Sequence, residues 1–578
     1  MTDIVTMLSG AAPATAGEWW KRAVIYQVYP RSFADSNGDG VGDLPGVVGK
    51  LDYLQNLGVD AIWLSPIYAS PGDDNGYDIS DYQSIDPIFG TLDDFDRLVA
   101  AAHQRGIKLV MDLVVNHTSD EHAWFVESAS SPDSAKRDWY WWRRPRAGHD
   151  GGAPGAEPTN WESFFSGPTW DYDPASGEYY LHLFSKKQPD LNWENPEVRQ
   201  AVYSMMNWWL DRGVDGFRMD VINLISKDPA LPDGVVAPGK TWGDGFPHYG
   251  YGPRIHEFLQ EMHESVFAAR VGEFVTVGEM PGVTVDQARL FTDPARHELD
   301  MVFQFEHVGL DHGAGGKFDP QPLDVLELKH SFQRWQDGLA VTGWNSLYWN
   351  NHDQPRAVSR FGDDGRFWSQ SARALAAVLH LQRGTPYIYQ GEELGMTNAP
   401  FADISELRDI ESLNYFAHSV ADGAASGDVL PGIARGTRDN ARTPMQWSAS
   451  QNGGFSTGAP WIAANPNAAD INAASQVGVH GSVFEFYRAL VRLRHDDPIV
   501  ANGDFRMLAP DHPRLVAYSR SLVDDAILVL ANFGEDPLDV ASLVDLDPWA
   551  GAELLLGTHP SVGLAAPLQP WEARIVRR

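Results

Sequence analysis

An arginine and an aspartate stand two residues apart in the segment GVDGFRMDV, which spans 213–221. The small and apolar residues around them are typical of a short buried strand. Because side chains alternate across a strand, Arg218 and Asp220 face the same side. A neighbouring guanidinium lowers the pKa of a carboxyl group, so we predict that Asp220 is an ionised carboxylate, as a carboxylate nucleophile must be. A purely structural ion pair is the alternative interpretation.

Two further carboxylates also follow short apolar runs, Glu279 in FVTVGEM and Asp353 in NNHD. The apolar neighbours of Glu279 favour its protonated form. A protonated carboxyl beside an ionised one is the machinery of glycoside hydrolysis, in which one is the general acid and the other the nucleophile. His117 and His352 end two of the same runs, and we expect them to hydrogen-bond sugar hydroxyls.

Eight short apolar runs that end in polar residues predict the strands that position these side chains. Helical patterns separate them, most clearly at 91–104, where Thr91 is the expected N-cap. Continuous apolar strands alternating with helices are typical of a parallel (β/α)8 TIM barrel, whose chemistry lies at the carboxyl ends of the strands. The predicted strands are Ala23–Pro30, Ala61–Ile67, Lys108–His117, Val214–Val221, Phe274–Met280, Met301–Glu306, Ser346–Asp353 and Pro386–Glu393.

Two long stretches interrupt this alternation. The irregular, aromatic segment 118–188 predicts a small domain inserted after the third strand. The segment 398–465, which has little periodic signal, predicts a long insertion after the eighth. After residue 504, runs such as LVAYSR and AILVLANF predict a C-terminal antiparallel β domain. The expected organisation is a barrel at 1–117 and 189–503, an inserted domain at 118–188 and a β-sandwich at 504–578.

The composition limits the functions open to the chain. Its 578 residues include no cysteine, which excludes disulfides, thiol catalysis and thiolate-bound zinc. The formal net charge of −34 argues against nucleic acid or an anionic membrane as a partner. No apolar run is long enough to span a membrane, and the N-terminus lacks the features of a signal peptide. We expect a cytoplasmic protein with a small-molecule substrate, as a monomer or a weak homo-oligomer.

The segments DLVVNH, GFRMD, TVGEM and NNHD, in this order at strand ends, resemble the four signature regions of glycoside hydrolase family 13. The resemblance covers nearly the whole chain from residue 19. It implies a retaining α-glucosidase mechanism with Asp220 as nucleophile, Glu279 as acid/base and Asp353 as the third, transition-state-stabilising acid. It also implies three substrate-binding residues, which are His117, Arg218 and His352.

Further motifs narrow the resemblance to oligo-1,6-glucosidases and related α-glucosidases. These are DDNGYD at 73–78, QPDLN at 188–192 and TRDNARTPMQW at 437–447. They imply a closed pocket for one terminal glucose, and hence an exo-acting enzyme that works on short oligosaccharides. The further pocket residues implied are Asp74, Tyr77, Phe165, Phe184, Gln188 and Arg438.

Val221 follows the predicted nucleophile directly. Enzymes of this family that cleave α-1,6 bonds resemble the chain in having valine there, whereas strict α-1,4 enzymes tend to carry threonine or alanine. The resemblance therefore implies cleavage of terminal α-1,6 bonds, with some α-1,4 activity and some transglycosylation.

Two other readings of the same motifs compete with a glucosidase. Sucrose isomerases and trehalose synthases share the acids, but the isomerases carry an Arg-Leu-Asp-Arg segment where this chain has Gly309-Leu310-Asp311-His312. A non-catalytic transporter subunit built on the same barrel needs a membrane-spanning helix and need not keep the acids. Both differences favour a hydrolase.

Oxygen-bearing side chains alternate with glycines in DSNGDGVGD at 35–43. This spacing matches the start of an EF-hand loop and suits a hard cation, although the closing glutamate is missing and a plain Asn/Gly turn is the alternative. Related glucosidases bind a metal ion here, so the resemblance implies a structural, non-catalytic Ca²⁺. Its implied ligands are Asp35, Asn37, Asp39, Asp43 and the carbonyl of Val41.

Overall fold

The structure is a computed structural model that describes residues 18–560 and 563–578. The prediction that the N-terminus carries no signal peptide concerns residues 1–17, which lie outside the described residues. None of the described helices is long and apolar enough to cross a membrane.

Eight parallel strands form the barrel. They are β1 Ile25–Val28, β2 Ala61–Leu64, β3 Lys108–Val114, β4 Gly216–Asp220, β5 Val275–Glu279, β6 Met301–Phe303, β7 Ser346–Leu347 and β8 Thr385–Tyr389. The strands pair in the order β6-β5-β4-β3-β2-β1-β8-β7. A parallel bridge between Val302 and Asn345 closes the ring. Each strand overlaps its predicted apolar run, and the predicted (β/α)8 fold is confirmed.

The register of β4 and β5 places the predicted acids side by side. Met219 pairs with Gly278, so the next positions along, Asp220 and Glu279, stand together at the carboxyl ends of the two strands. The strands can approach because Gly216 has no side chain: a Cβ there would lie 2.1 Å from the carbonyl oxygen of Val275. Large apolar residues fill the barrel interior below the acids, among them Trp63, Phe303 and Tyr387.

Helices surround the barrel and bury one face against it. The helix Leu92–Gln104 begins where predicted, with Thr91 and Asp94 forming a reciprocal capping box. The other α-helices are Leu44–Val48, Leu51–Leu57, Ala123–Ala129, Pro196–Asp211, Phe246–Tyr249, Ile255–Val266, Val285–Phe291, Val325–Gly338, Ala357–Phe361, Trp368–His380, Ile410–Ala421, Ser426–Gly436, Asp439–Arg442, Ala473–Gln476, Val483–Asp496 and Pro498–Asn502.

A small three-stranded antiparallel sheet lies between β3 and β4 in the chain. Its strands are Trp142–Arg143, Trp170–Asp173 and Glu178–Leu181. Three two-stranded antiparallel ribbons lie in connections between the barrel strands. They are Tyr68–Ala69 with Asp81–Ile85, Val235–Val236 with Gly243–Asp244, and His312–Gly313 with Gly316–Pro320.

The insertion after β8 contains helices that were not predicted from the sequence. In Ile410–Ala421 the one buried residue is Ser412, while Leu413 and Val420 are 37% and 38% exposed. The segment 398–465, expected to be a long insertion with little periodic signal, therefore includes regular helices that are largely exposed.

The C-terminal part forms one antiparallel sheet that packs on the barrel helices. Its strands are β9 Asp504–Leu508, β10 Leu515–Leu522, β11 Asp525–Asn532, β12 Glu553–Gly557 and β13 Ala573–Arg577. They pair in the order β9-β10-β11-β13-β12. The Tyr518 hydroxyl donates to the carbonyl of Val378 at 2.8 Å. Within the described residues no second sheet faces this one, so the predicted β domain is confirmed but the expected sandwich is wrong.

Candidate active site

Arg218 binds three carboxylates on neighbouring strands. Its Nη1 donates to Asp112 of β3 at 2.7 Å and to Asp220 of β4 at 2.8 Å. Its Nη2 lies 2.6 Å from Glu279 Oε2 of β5. The guanidinium is buried and lies over the Trp63 ring, 5.0 Å from its centroid. One cation therefore holds two of the predicted catalytic acids with adjacent nitrogens.

Burial and the neighbouring acids together raise the pKa of Asp220. Burial is the largest cause and Glu279, Asp112 and Asp353 add to it, whereas Arg218 opposes it. The expectation that Arg218 lowers this pKa overall is wrong, because it left out burial and the neighbouring acids. Burial also raises the pKa of Asp112 to about 6. Three carboxyl groups on β3, β4 and β5 thus compete for the charge of one guanidinium.

Asp353 lies in a different electrostatic setting. Arg442 Nη2 donates to it at 2.7 Å, and Arg438 Nη1 is 3.6 Å away. Burial opposes ionisation, but His352, Arg438 and Arg442 together hold the pKa of Asp353 well below its usual range. This carboxylate is ionised throughout the physiological pH range.

Arg438 closes the pocket by joining the segment after β2 to the insertion after β8. Its Nη2 donates to Asp74 at 2.9 Å and its Nε to Asp409 at 2.7 Å. The guanidinium lies 5.1 Å from the Phe165 ring centroid. Burial raises the pKa of Asp74 to about 6 although Arg438 opposes it. Gln188 Nε2 donates to the other Asp74 oxygen at 3.3 Å.

Both predicted histidines are neutral at pH 7. Burial lowers the pKa of His117 to about 4 and that of His352 to about 3. The side-chain amide nitrogen of Gln27 lies 2.8 Å from His352 Nδ1 and can only donate, so Nδ1 accepts and Nε2 carries the hydrogen. The Tyr77 ring stacks on His352 at 5.1 Å. His352 Nε2 is 3.4 Å from Asp353, which leaves a donor available at the acid.

These groups surround a cavity of about 220 Å³. Typical small-molecule pockets measure roughly 300–1,000 Å³, so this cavity suits a single sugar ring. The predicted residues that line it are Asp74, Tyr77, His117, Phe165, Phe184, Asp220, Val221, Glu279, Asp353 and Arg438. Arg218, Gln188 and His352 lie behind the wall and bind the lining residues. A second cavity of about 240 Å³ adjoins it at Lys317, Asp353 and Gln354.

Several residues in contact with the predicted site were not identified from the sequence, and three of them pair with its charged groups. They are Asp112, Asp409 and Arg442. Asp112 and Arg442 stand inside the motifs DLVVNH and TRDNARTPMQW, so the motifs contained a signal for them. Asp409 lies in SELRDIE, which carries no motif. Its contact with Arg438 joins positions 29 residues apart through the fold.

The side chains of the 35–43 loop line neither cavity. Asp35 accepts hydrogen bonds from the amides of Asn37, Gly38 and Gly40, and Asp43 caps the helix Leu44–Val48. Over the described ranges, no three His, Cys, Asp or Glu side chains are grouped closely enough to hold a metal ion. A cation in this loop therefore needs the Asn37 amide oxygen and a carbonyl as well, an all-oxygen donor set that suits Ca²⁺.

Comparisons with known proteins agree with this geometry. A family model described as "Alpha amylase, catalytic domain" matches residues 27–503. The chain is 54% identical to an oligo-1,6-glucosidase of Parageobacillus thermoglucosidasius, over 97% of this chain and 99% of the relative. It is 49% identical to a trehalose-6-phosphate hydrolase of Bacillus subtilis (strain 168), over 97% and 98%. The crystal structure of a trehalulose synthase mutant in complex with Tris superposes with a TM-score of 0.90 at 43% identity, covering 97% of this chain and 100% of that one.

A barrel that gathers acidic side chains from β4, β5 and the end of β7 around a pocket for one ring defines the chain as a glycoside hydrolase. It belongs to the α-amylase family, glycoside hydrolase family 13. Its substrate is accordingly a carbohydrate.

Proposed function

We propose that the chain is a retaining, exo-acting α-glucosidase that hydrolyses terminal α-1,6 bonds, and some α-1,4 bonds, of short oligosaccharides. The observation that carries the proposal is the contact of one guanidinium, Arg218, with both Asp220 and Glu279, at 2.8 and 2.6 Å. A retaining enzyme needs its two carboxyl groups close together, because one attacks the carbon from which the other releases the leaving group.

In this mechanism Asp220 attacks the anomeric carbon while Glu279 protonates the glycosidic oxygen. The C–O bond breaks, the aglycone leaves as an alcohol and a glucosyl ester forms on Asp220. Glu279, now ionised, takes a proton from water, which attacks the ester and releases glucose with its original configuration. The ionised Asp353 stabilises the positive charge that develops on the sugar ring in both steps.

The closed end of the pocket supports exo action. Asp74 and Arg438 form a connected wall beyond the ring site, and Gln188 binds Asp74 from behind it. Carboxylate and guanidinium groups are suitable partners for the hydroxyls of a terminal glucose. A longer chain on that side would collide with the wall. The adjoining cavity at Lys317 and Gln354 supplies the space for the leaving sugar.

A glucosidase fits the leaving-group side better than the competing activities do. Lys317 pairs with Glu411, and Arg360 pairs with Asp311, so these two cations are committed to carboxylates rather than presented to a phosphate. The identity to the oligo-1,6-glucosidase is 54%, against 43% to the trehalulose synthase. The first observation favours a neutral over a phosphorylated substrate, and the second favours hydrolysis over isomerisation.

The substrate panel that tests the proposal contains isomaltose, panose, maltose, sucrose, trehalose and trehalose 6-phosphate. We expect α-glucose as the first product seen by NMR and the highest kcat/KM on isomaltose. Initial β-glucose would contradict retention. Formation of trehalulose or isomaltulose from sucrose would establish an isomerase, and the highest activity on trehalose 6-phosphate would establish a phosphosugar hydrolase.

Val221 provides a sharper test of linkage preference. Its side chain lines the pocket beside the nucleophile. We expect Val221→Thr to shift the isomaltose-to-maltose ratio of kcat/KM toward maltose by about tenfold, since one hydroxyl or methyl in a pocket is worth about 1–3 kcal/mol. An unchanged ratio would remove Val221 as a determinant of linkage.

We also propose that the 35–43 loop binds a structural Ca²⁺. The support is its alternating oxygen side chains and the orientation of Asp35 by three loop amides. Excess chelator should lower the melting temperature, added Ca²⁺ should restore it, and Asp35→Asn should abolish both responses. A melting temperature that chelator leaves unchanged would contradict a bound ion.

The charge of the chain also bears on its location and oligomeric state. We propose a cytoplasmic monomer or weak homo-oligomer, in keeping with the strongly negative charge of the chain. Sedimentation velocity over a hundredfold concentration range tests the assembly, and a stable tetramer would contradict it.

A further inference from the structure

Val221 has an unusual backbone for its residue type. Its φ and ψ are 35° and 41°, in the left-handed region. A β-branched side chain there is a genuine outlier, because its Cβ substituents crowd the backbone. Such strain persists only where the surrounding structure enforces it, and it gathers at functional sites.

The left-handed turn directs the Val221 amide at the predicted general acid. The Val221 N–H donates to Glu279 Oε2 at 3.2 Å. Arg218 Nη2 reaches the same oxygen at 2.6 Å. Glu279 Oε2 thus receives two donors, one from the main chain and one from a permanent cation.

An oxygen that accepts from two such donors is the unprotonated oxygen of the carboxyl group, since a proton on it would point at a cation or at an N–H. Neither of these two contacts uses Oε1, and Glu279 lines the cavity. We propose that the Val221 main-chain amide is a positioning group that places the acid proton on Glu279 Oε1, facing the glycosidic oxygen. The proposal deepens the proposed function and rests on it.

In this arrangement Glu279 transfers its proton to the glycosidic oxygen as the C–O bond breaks. The Oε1–H bond breaks as the glycosidic oxygen takes the proton, and the electrons of the breaking C–O bond go to that oxygen. The negative charge left on Glu279 is already met at Oε2 by the two donors, so no group has to reorganise as the charge appears. The strained turn is what holds one of the donors in place.

The groups that face Glu279 from its neighbours set the background for any pH measurement. They are Arg218 and Asp220 on β4, Asp112 on β3, and Tyr348 and Asp353 in the segment after β7. All of them remain unaltered in the variants below, so a shift in the pH profile reports the amide itself.

The direct test is neutron diffraction from a deuterium-exchanged crystal of the unmodified enzyme at the pH of its highest kcat/KM. We expect nuclear density for a deuterium on Glu279 Oε1. A deuterium on Oε2 would overturn the proposal. This measurement needs no substitution, so it does not depend on how well any variant folds.

The second test removes the donor and keeps the side chain. Valine at 221 is replaced by its α-hydroxy acid, which turns the amide N–H into an ester oxygen, and the matched control has the same replacement at Ile222. Loss of a donor to the charged form should move the alkaline limb of kcat/KM upward by about one pH unit, the size of one such interaction. We expect the Ile222 ester to leave that limb in place. An unmoved limb in the Val221 ester would overturn the proposal.

A substitution of Glu279 tests its acid/base role separately from the position of its proton. Glu279→Gln should abolish hydrolysis of isomaltose if Glu279 is the acid/base. A glutamine variant with full activity would remove the proposed function. An inactive glutamine variant together with deuterium on Oε2 would remove the placement of the proton alone.

Discussion

The two ends of the sugar pocket hold their carboxylates with opposite balances of charge. At one end a single guanidinium, Arg218, serves Asp112, Asp220 and Glu279, and the pKa of Asp220 is raised. At the other end Arg438 and Arg442 both reach Asp353, whose pKa is far below its usual range. The two acids also differ in exposure, since 31% of the Asp353 side chain is accessible to solvent against 9% of the Asp220 side chain. The two arginine partners of Asp353 and its greater exposure both favour its charged form, whereas Asp220 is more buried and shares one arginine with two other acids.

The largest loss of activity should follow the removal of an acid from the end of the pocket that Arg218 serves. We expect Asp220→Asn to lower kcat on isomaltose by ~10⁴-fold or more, the scale of losing a nucleophile. The melting temperature should not fall, because the variant removes a carboxylate that burial already disfavours as a charge. A lower melting temperature with retained activity would instead identify a structural ion pair.

The second prediction weakens the cation-rich end. Arg438→Lys loses the fork that joins Asp74 to Asp409, and we expect kcat/KM to fall roughly 30-fold or more, since truncating a buried charge pair costs about 2 kcal/mol or more. The matched control is Arg408→Lys, an exposed arginine that donates to the carbonyls of Ser405 and Leu407. Equal effects of the two substitutions would contradict a special role for Arg438.

A smaller effect is expected on the pH dependence of stability. Burial raises the pKa of Asp74 to about 6. Its unfolded value is about 3.9, so the protonated form stabilises the fold. That contribution is complete below pH ~4 and is lost as the pH rises through about 6. Asp74→Asn should therefore gain more melting temperature over the native enzyme at pH 7 than at pH 5.

The same titration should appear in substrate binding. As the pH falls through about 6, Asp74 becomes protonated and loses an acceptor for a sugar hydroxyl, so KM for isomaltose should rise. In Asp74→Asn, KM should be higher throughout and nearly independent of pH between 5 and 7. A parallel pH dependence in the two proteins would assign the titration to another group.

Strand content was predictable because the barrel strands are buried on both faces and so form continuous apolar runs. Every one of β1 to β8 overlaps such a run, from Ile25–Val28 to Thr385–Tyr389. The helices of the 398–465 insertion were not predicted, although Ile410, Leu413 and Val420 stand at helical spacing in Ile410–Ala421. The expected sandwich failed for another reason: β10 and β11 are buried on both faces, but barrel helices rather than a second sheet cover one of those faces.

The candidate site was predictable where chemistry follows a strand end, as at Asp220 and Glu279. The pKa of Asp220 was not, because its value depends on Asp112 and on burial, which involve residues far apart in the sequence. The left-handed backbone of Val221 was equally hidden, since valine favours extended strands. Sequence patterns reveal which side chains reach the pocket, whereas charge balance and strain emerge only once distant segments meet.

The contact between Asp74 and Arg438 spans 364 positions of the chain. A sugar in the pocket therefore bridges the segment after β2 and the insertion after β8, and any state in which either has come loose cannot bind it. Occupancy is in this way coupled to folding: saturating ligand stabilises the native state in proportion to RT ln(1 + [L]/Kd). The availability of its own sugar would then set how long the enzyme survives proteolysis, including at surface sites that no sugar touches.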